Sequence, residues 1–281
     1  MRSVLTIAGS DSSGGAGIQA DIKTITMFGL YAQSVITALT AQNTCGVSAV
    51  FTPPASFVAQ QMESVFGDIE PQSVKTGMLA NREVVEAVAG GLRALATCPV
   101  VVDPVMVATS GDMLLADDAV AALREQLLPL ATLITPNVPE AEVLSGLHIE
   151  DEDDMARAAR IVAQSSGAAV LVKGGHLIEF ADGASGAAGA AATGTPEVID
   201  ILWNNGRITR FADTAIPRVG AHGTGCTLSA AIACGLAQGA TLEESVRAAR
   251  IYLRRALQAS PGLGSGNGPV NHIVEAPHMA I

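Results

Sequence analysis

The densest chemistry in the chain lies in one short run, His222-Gly223-Thr224-Gly225-Cys226-Thr227. Two glycines let the backbone turn so that successive N–H groups converge on one concavity. The pattern predicts a helix from Thr224, whose first-turn N–H groups and positive dipole end join that concavity. Such a place binds a phosphoryl group or an oxyanion. It also favours the thiolate form of a cysteine set there, here Cys226.

Other chemically capable residues stand at the ends of apolar runs. Val102-Asp103-Pro104 sets a carboxylate where proline stops further strand pairing. Pro136-Asn137-Val138-Pro139-Glu140 sets an amide and a second carboxylate past another run. Two carboxylates with an amide suit a water-rich Mg2+ site, which takes few direct protein ligands. Each also has a plain structural reading, as an Asp-Pro turn and as a glutamate at a helix N-terminus. Lys173, before Gly174-Gly175, offers a point charge for nucleotide phosphates, or is an ordinary solvated lysine.

Near the N-terminus, Gly15-x-Gly17-x-x-Ala20 is a variant of the dinucleotide fingerprint. A nicotinamide-binding unit calls for an acidic residue roughly 20 positions further on. No Asp or Glu occurs between Asp21 and Glu63, which sets the oxidoreductase reading aside. The Gly-Lys-Ser/Thr ending of a phosphate loop is absent as well.

These residues need a scaffold that brings strand ends together. Apolar, β-rich runs at 4–8, 33–39, 73–76, 100–102, 133–135 and 169–172 alternate with helical patterns. The helical segments are 17–28, 55–65, 82–96, 117–128, 140–144, 152–164 and 242–257. The alternation predicts one α/β domain spanning 1–281, a doubly wound, mostly parallel sheet flanked by helices. Ligands in such sheets sit beyond the carboxyl ends of the strands, where Gly9, Gly77, Pro104, Pro136 and Gly174 fall. An Ala/Gly-rich stretch at 181–195 has too little to pack and reads as a flexible loop. After it, 198–203 and 207–211 flank Asn204-Asn205-Gly206 as a hairpin.

Composition narrows the partners. A net charge of −11 and 3% aromatic content argue against nucleic acid, which needs clustered cations and stacking surfaces. No apolar run reaches membrane-spanning length. Cys45, Cys98, Cys226 and Cys234 form no CxxC pair, so reduced thiols in the cytoplasm are expected.

The ordered set AGSDSSGGAGIQAD (8–21), TAQNT (40–44), KTGM (75–78), VDPVM (102–106), ITPNVPEAE (134–142), VKGGH (172–176) and HGTGCTLSAA (222–231) resembles the hydroxymethylpyrimidine/phosphomethylpyrimidine kinase family of thiamine biosynthesis. That family belongs to the ribokinase-like superfamily. The resemblance implies ATP and Mg2+, two successive phosphorylations of a hydroxymethylpyrimidine, and a homodimer. It assigns Gly9, Asp11, Ala16, Gln42, Met78 and Val105 to the pyrimidine pocket. It assigns Gly223, Thr224, Gly225 and Cys226 to the anion hole, with Cys226 as base or orienting group. Asn137, Lys173 and His222 would contact the nucleotide, and Asp103 and Glu140 the metal. Two departures stand out: the family's polar pair before His222 is missing from 217–221, and the insert at 181–195 is long. A pyridoxal, pyridoxine or pyridoxamine kinase of the same superfamily is the nearest alternative. A non-catalytic ligand-binding member is another.

Overall fold

Strands that are apolar on both faces need cover on both faces, and six of them lie side by side here. The computed structural model describes residues 1–106, 117–175, 196–216 and 222–278. The 181–195 loop and the departure at 217–221 lie outside the described residues. Strands β1 (Ser3–Asp11), β2 (Tyr31–Asn43), β4 (Ser73–Thr76), β5 (Val100–Val102), β6 (Leu133–Ile134) and β7 (Ala169–Lys173) run parallel. Antiparallel strands close both margins: β3 (Gly46–Phe51) pairs with β2, while β8 (Glu197–Asn204) and β9 (Arg207–Thr214) follow β7. The order is β3-β2-β1-β4-β5-β6-β7-β8-β9.

Alternation along each strand sorts side chains to two cores. Leu5, Val74, Val102, Ile134 and Val172 pack under α2 (Ala55–Phe66), α3 (Arg82–Leu95), α4 (Asp117–Ala122), α5 (Val138–Ser145) and α6 (Glu152–Ser166). Val4, Val101, Leu133 and Leu171 pack under α1 (Gly17–Met27), α7 (Thr224–Gln238) and α8 (Leu242–Gln258). Two residues beyond each of these last four stand Thr6, Asp103, Thr135 and Lys173, and Lys75 is in register with Thr6. Polar groups thus gather under α7 at the carboxyl ends of the strands, where the sheet pattern would otherwise place apolar ones.

The six parallel strands and the 198–211 hairpin form where the sequence predicts them. Two elements differ. Strand β3 carries no burial signal, because four of its six residues are exposed at the sheet edge. The helix expected over 117–128 is α-helical only to Ala122, then passes through a π turn and a 3-10 turn at Leu128–Leu130. Pro129 lacks the N–H that an α-helix would use there.

Candidate active site

Helix α7 starts at Gly223, whose φ of +85° is left-handed. A side chain there would strike the Gly15 carbonyl, so the anion loop lies directly on the N-terminal glycine loop. No side chain caps the helix and its first turn holds no acidic residue. Thr224, Gly225 and Cys226 keep part of their surface, whereas 227–235 are buried. The open end therefore presents N–H groups and dipole charge to an incoming anion.

One side of this end is cationic and anionic at once. Lys173 Nζ lies 2.8 Å from Asp103 Oδ1, which also accepts from Thr135 Oγ1 at 2.9 Å. Ser229 Oγ, on α7, donates to Asp103 Oδ2 at 3.3 Å. A Cβ on Gly225 would stand 3.3 Å from Lys173 Nζ and 3.6 Å from Asp103 Oδ2, so the ion pair borders the anion loop. Lys173 is thus neither solvated nor unpaired, since burial beside Asp103 locks it into a pair. Burial opposes its charge, but Asp103 and Glu140 hold its proton affinity above the ordinary value.

Asn137 and Glu140 form the capping box of α5. Asn137 Oδ1 accepts the Glu140 N–H at 2.9 Å, and Glu140 Oε2 accepts the Asn137 N–H at 2.8 Å. The structural reading of this pair therefore holds, and it leaves the carboxylate beside Asp103 and Lys173. Burial raises the Glu140 carboxyl to about 7; Lys173 opposes the shift and Asp103 adds to it. Among the described residues no group of three or more His, Cys, Asp or Glu converges on a metal. The Asp103 and Glu140 pair nonetheless fits Mg2+, which needs one or two carboxylates beside waters and phosphates. A carboxyl that retains its proton near neutrality beside a second carboxylate is one that a divalent cation would ionise.

The opposite side is organised by Asp11. Its carboxylate accepts N–H groups of Ser13, Gly15 and Ala16 at 2.8–3.0 Å and the Ser13 hydroxyl. His222 Nε2 lies 2.8 Å from Asp11 Oδ2. Burial would raise the Asp11 carboxyl, but these donors, His222 foremost, hold it well below the usual carboxylate range. Asp11, expected in the pyrimidine pocket, has its oxygens taken by protein donors and holds the glycine loop in shape. His222, expected on the nucleotide side, stands against Asp11 and 3.4 Å from Gln42 Nε2. Gln42 Oε1 accepts from Thr40 Oγ1 at 3.0 Å. Met78 borders Gly9, its Sδ lying 3.2 Å from where a Cβ on Gly9 would be. Ala16, Gln42, Met78 and Val105 keep partial exposure, while Gly9 is buried.

Cys226 corrects an expectation. Burial pushes its thiol up to about 11, and the Lys75 ammonium and the Gly17 N–H only partly oppose this. The thiolate expected at a helix N-terminus is outweighed by desolvation and by Asp21 and Asp103.

The sequence reading missed the pair beneath it. Lys75 Nζ lies 2.8 Å and 3.0 Å from the Asp21 oxygens, both side chains fully buried, and Thr6 Oγ1 donates to Asp21 at 2.6 Å. Burial would strip the Lys75 proton; Asp21 reverses this and holds the ammonium above its ordinary range. Asp21 lies one turn along α1 from Gly17, on the same face. The available signal was a lysine within a buried strand and an aspartate on the inner face of a helix.

Comparison with known proteins gives the same family along nearly the whole chain. Residues 11–271 match the family model described as phosphomethylpyrimidine kinase. A hydroxymethylpyrimidine/phosphomethylpyrimidine kinase from Rhizobium meliloti is 51% identical over 271 residues, covering 95% of this chain and 96% of that protein. The thiamine biosynthesis bifunctional protein ThiED of Geobacter sulfurreducens is 48% identical over 274 residues, 98% of this chain. The chain spans about half, 53%, of that longer relative. Among solved structures, phosphomethylpyrimidine kinase from Clostridium difficile 630 superposes with a TM-score of 0.76 at 41% identity, covering 91% of this chain and 99% of that one. An ADP complex of Bacillus subtilis pyridoxal kinase superposes with a TM-score of 0.83 at 33% identity, covering 97% of each. The chain belongs to the phosphomethylpyrimidine kinase family, enzymes that transfer phosphoryl groups on a ribokinase-like fold.

Proposed function

We propose that this chain, as one catalytic domain, phosphorylates 4-amino-5-hydroxymethyl-2-methylpyrimidine with ATP and then phosphorylates the monophosphate, a thiamine precursor step. The observation that carries this is the open first turn of α7, flanked by Asp103–Lys173 on one side and Gln42–His222 on the other. The substrate hydroxyl attacks the γ-phosphorus, the bond to the β-phosphate oxygen breaks, and ADP leaves. Such transfers depend chiefly on position and charge. The N–H groups of 223–226 meet charge spread over the transferred group, and Lys173 lies beside the same loop. Asp103 and Glu140 would hold Mg2+ with the nucleotide phosphates; when bound, it neutralises their charge. Asn137 stands beside this group, its carboxamide oxygen already committed to the cap.

Gln42 offers both a donor and an acceptor to the aminopyrimidine edge. Gly9, Ala16, Met78 and Val105 would line the ring's surroundings. Cys226, a thiol at neutral pH, orients the attacking hydroxyl, whose proton leaves as the new P–O bond forms and passes to water. A cytoplasmic homodimer is the assembly we favour. Leu39 and Phe51, paired across β2 and β3, are 44% and 63% exposed, an apolar face at the sheet edge suited to a second copy.

The close superposition on pyridoxal kinase supports a second reading, phosphorylation of pyridoxal. Mass analysis of products separates the two when each alcohol is incubated with Mg-ATP. One and then two phosphoryl groups on the pyrimidine support the first reading. Faster conversion of pyridoxal supports the second, and conversion of neither leaves a ligand-binding protein.

A further inference from the structure

After α8 the chain turns back as 260–271 and crosses the pyrimidine side of the site, touching three separate loops. Asn267 N–H donates to the Thr44 carbonyl at 2.8 Å, and Gly266 N–H to Thr44 Oγ1 at 3.3 Å. Both contacts fall in the turn between β2 and β3. Further along, the Gly268 carbonyl accepts the His222 N–H at 3.2 Å, and Pro269 pairs with His222 as a single parallel bridge. A Cβ on Gly15 would stand 3.1 Å from Pro269 Cβ, so the segment also backs the N-terminal glycine loop. Its far end is fixed by Asn271 N–H to the Ala256 carbonyl at 3.1 Å and by the buried Val270 and His272.

The grip on Thr44 depends on glycine. A side chain at 266 would overlap the Thr44 carbonyl oxygen, with the carbonyl carbon at 2.7 Å and Cys45 Cα at 3.0 Å. Residues 261–267 are exposed and bring no apolar packing of their own, and Gly268 is buried against the site. The segment holds the site through its backbone hydrogen bonds to Thr44 and His222, with one side-chain contact, Ser265 Oγ to Cys45 Sγ at 3.3 Å. Thr44 and His222 flank Gln42, one by chain and one through space at 3.4 Å.

We propose that segment 262–270 is a positioning element for substrate recognition, gripping Thr44 and His222 together so that the Gln42 carboxamide between them keeps one orientation. The proposal rests on the reading of Gln42 as the contact to the pyrimidine's polar edge. A carboxamide held in place before binding spares the ordering cost that a loose one incurs. Discrimination by paired hydrogen bonds is lost when their geometry slackens.

A double-mutant cycle in the full chain tests this by steady-state kinetics with the pyrimidine alcohol and Mg-ATP. Gly266→Ala should raise the KM for the pyrimidine about tenfold, while kcat and the KM for ATP stay within about twofold. Gln42→Leu should raise the same KM at least as much. The double variant should match Gln42→Leu alone, because the segment acts through that side chain. Multiplying effects, or no effect of Gly266→Ala beside a large effect of Gln42→Leu, would overturn the positioning role. No effect of Gln42→Leu would instead remove the reading of Gln42 on which it rests. If Gly266→Ala does not fold, Thr44→Val deletes one acceptor without adding bulk and repeats the cycle. It should give a KM rise of about threefold, and an unchanged KM there contradicts the proposal.

Discussion

Cys226 in the anion loop and the Asp21–Lys75 pair beneath it set the local charge. With its thiol pushed up to about 11, Cys226 is almost wholly protonated at pH 7, which suits the orienting role proposed for it rather than that of a base. Cys226→Ala should lower kcat about tenfold or more with little change in the pyrimidine KM. Cys226→Ser, which keeps a polar hydrogen in place, should stay within a few-fold of wild type. Steady-state rates of the two variants check this, and a serine variant as impaired as the alanine variant would contradict it. The buried Asp21–Lys75 pair gives a second prediction. Lys75→Met leaves a carboxylate unpaired in the core and should cost about 3–5 kcal/mol in urea unfolding. Adding Asp21→Asn should recover most of that loss. Neither residue announces this pairing, since they lie 54 positions apart in a helix and a strand. The surroundings of His222 were hidden for a related reason. It neighbours the anion loop in sequence, but its partner Asp11 is 211 positions away.

At the scale of elements, the α5 capping box couples local structure to the charge of the site. Glu140 has its folded pKa raised to about 7 from an ordinary 4.5, so the folded protein holds a proton there that the unfolded chain releases. Its contribution to stability therefore declines as pH rises from about 4.5 through about 7. His272, lowered to about 4 by burial, runs the other way, losing stability as pH falls below its ordinary 6.5. The Glu140 share is isolated by comparing wild type with Glu140→Gln in thermal melts without divalent cations. The wild type should lose ground relative to the variant between pH 5 and 7.5, and parallel curves would refute the assignment. Asp103, Asn137, Glu140 and Lys173 were legible because glycine or proline punctuates the strand ends on which they stand. Strand β3 was not, because an exposed edge strand carries no burial pattern. The hold of segment 262–270 on Thr44 and His222 left no pattern in the sequence, since it is a matter of backbone approach.

For the whole molecule, the parallel sheet collects strand ends into one site, and the antiparallel β2–β3 margin leaves an apolar edge. Phe51, 63% exposed, sits at that edge opposite Leu39 on β2. Phe51→Lys should convert the proposed homodimer to a monomer in light scattering, with the thermal midpoint of the fold little changed. A wild-type monomer at micromolar concentration would dismiss that assembly. The most direct test of the phosphoryl-transfer site is a crystal structure with the pyrimidine alcohol and a non-hydrolysable ATP analogue. The terminal phosphate should lie on the N–H groups of 223–226, with the pyrimidine's polar edge on Gln42 and the triphosphate beside Asp103 and Lys173. A nucleotide bound elsewhere, with those N–H groups paired inside the protein, would contradict it.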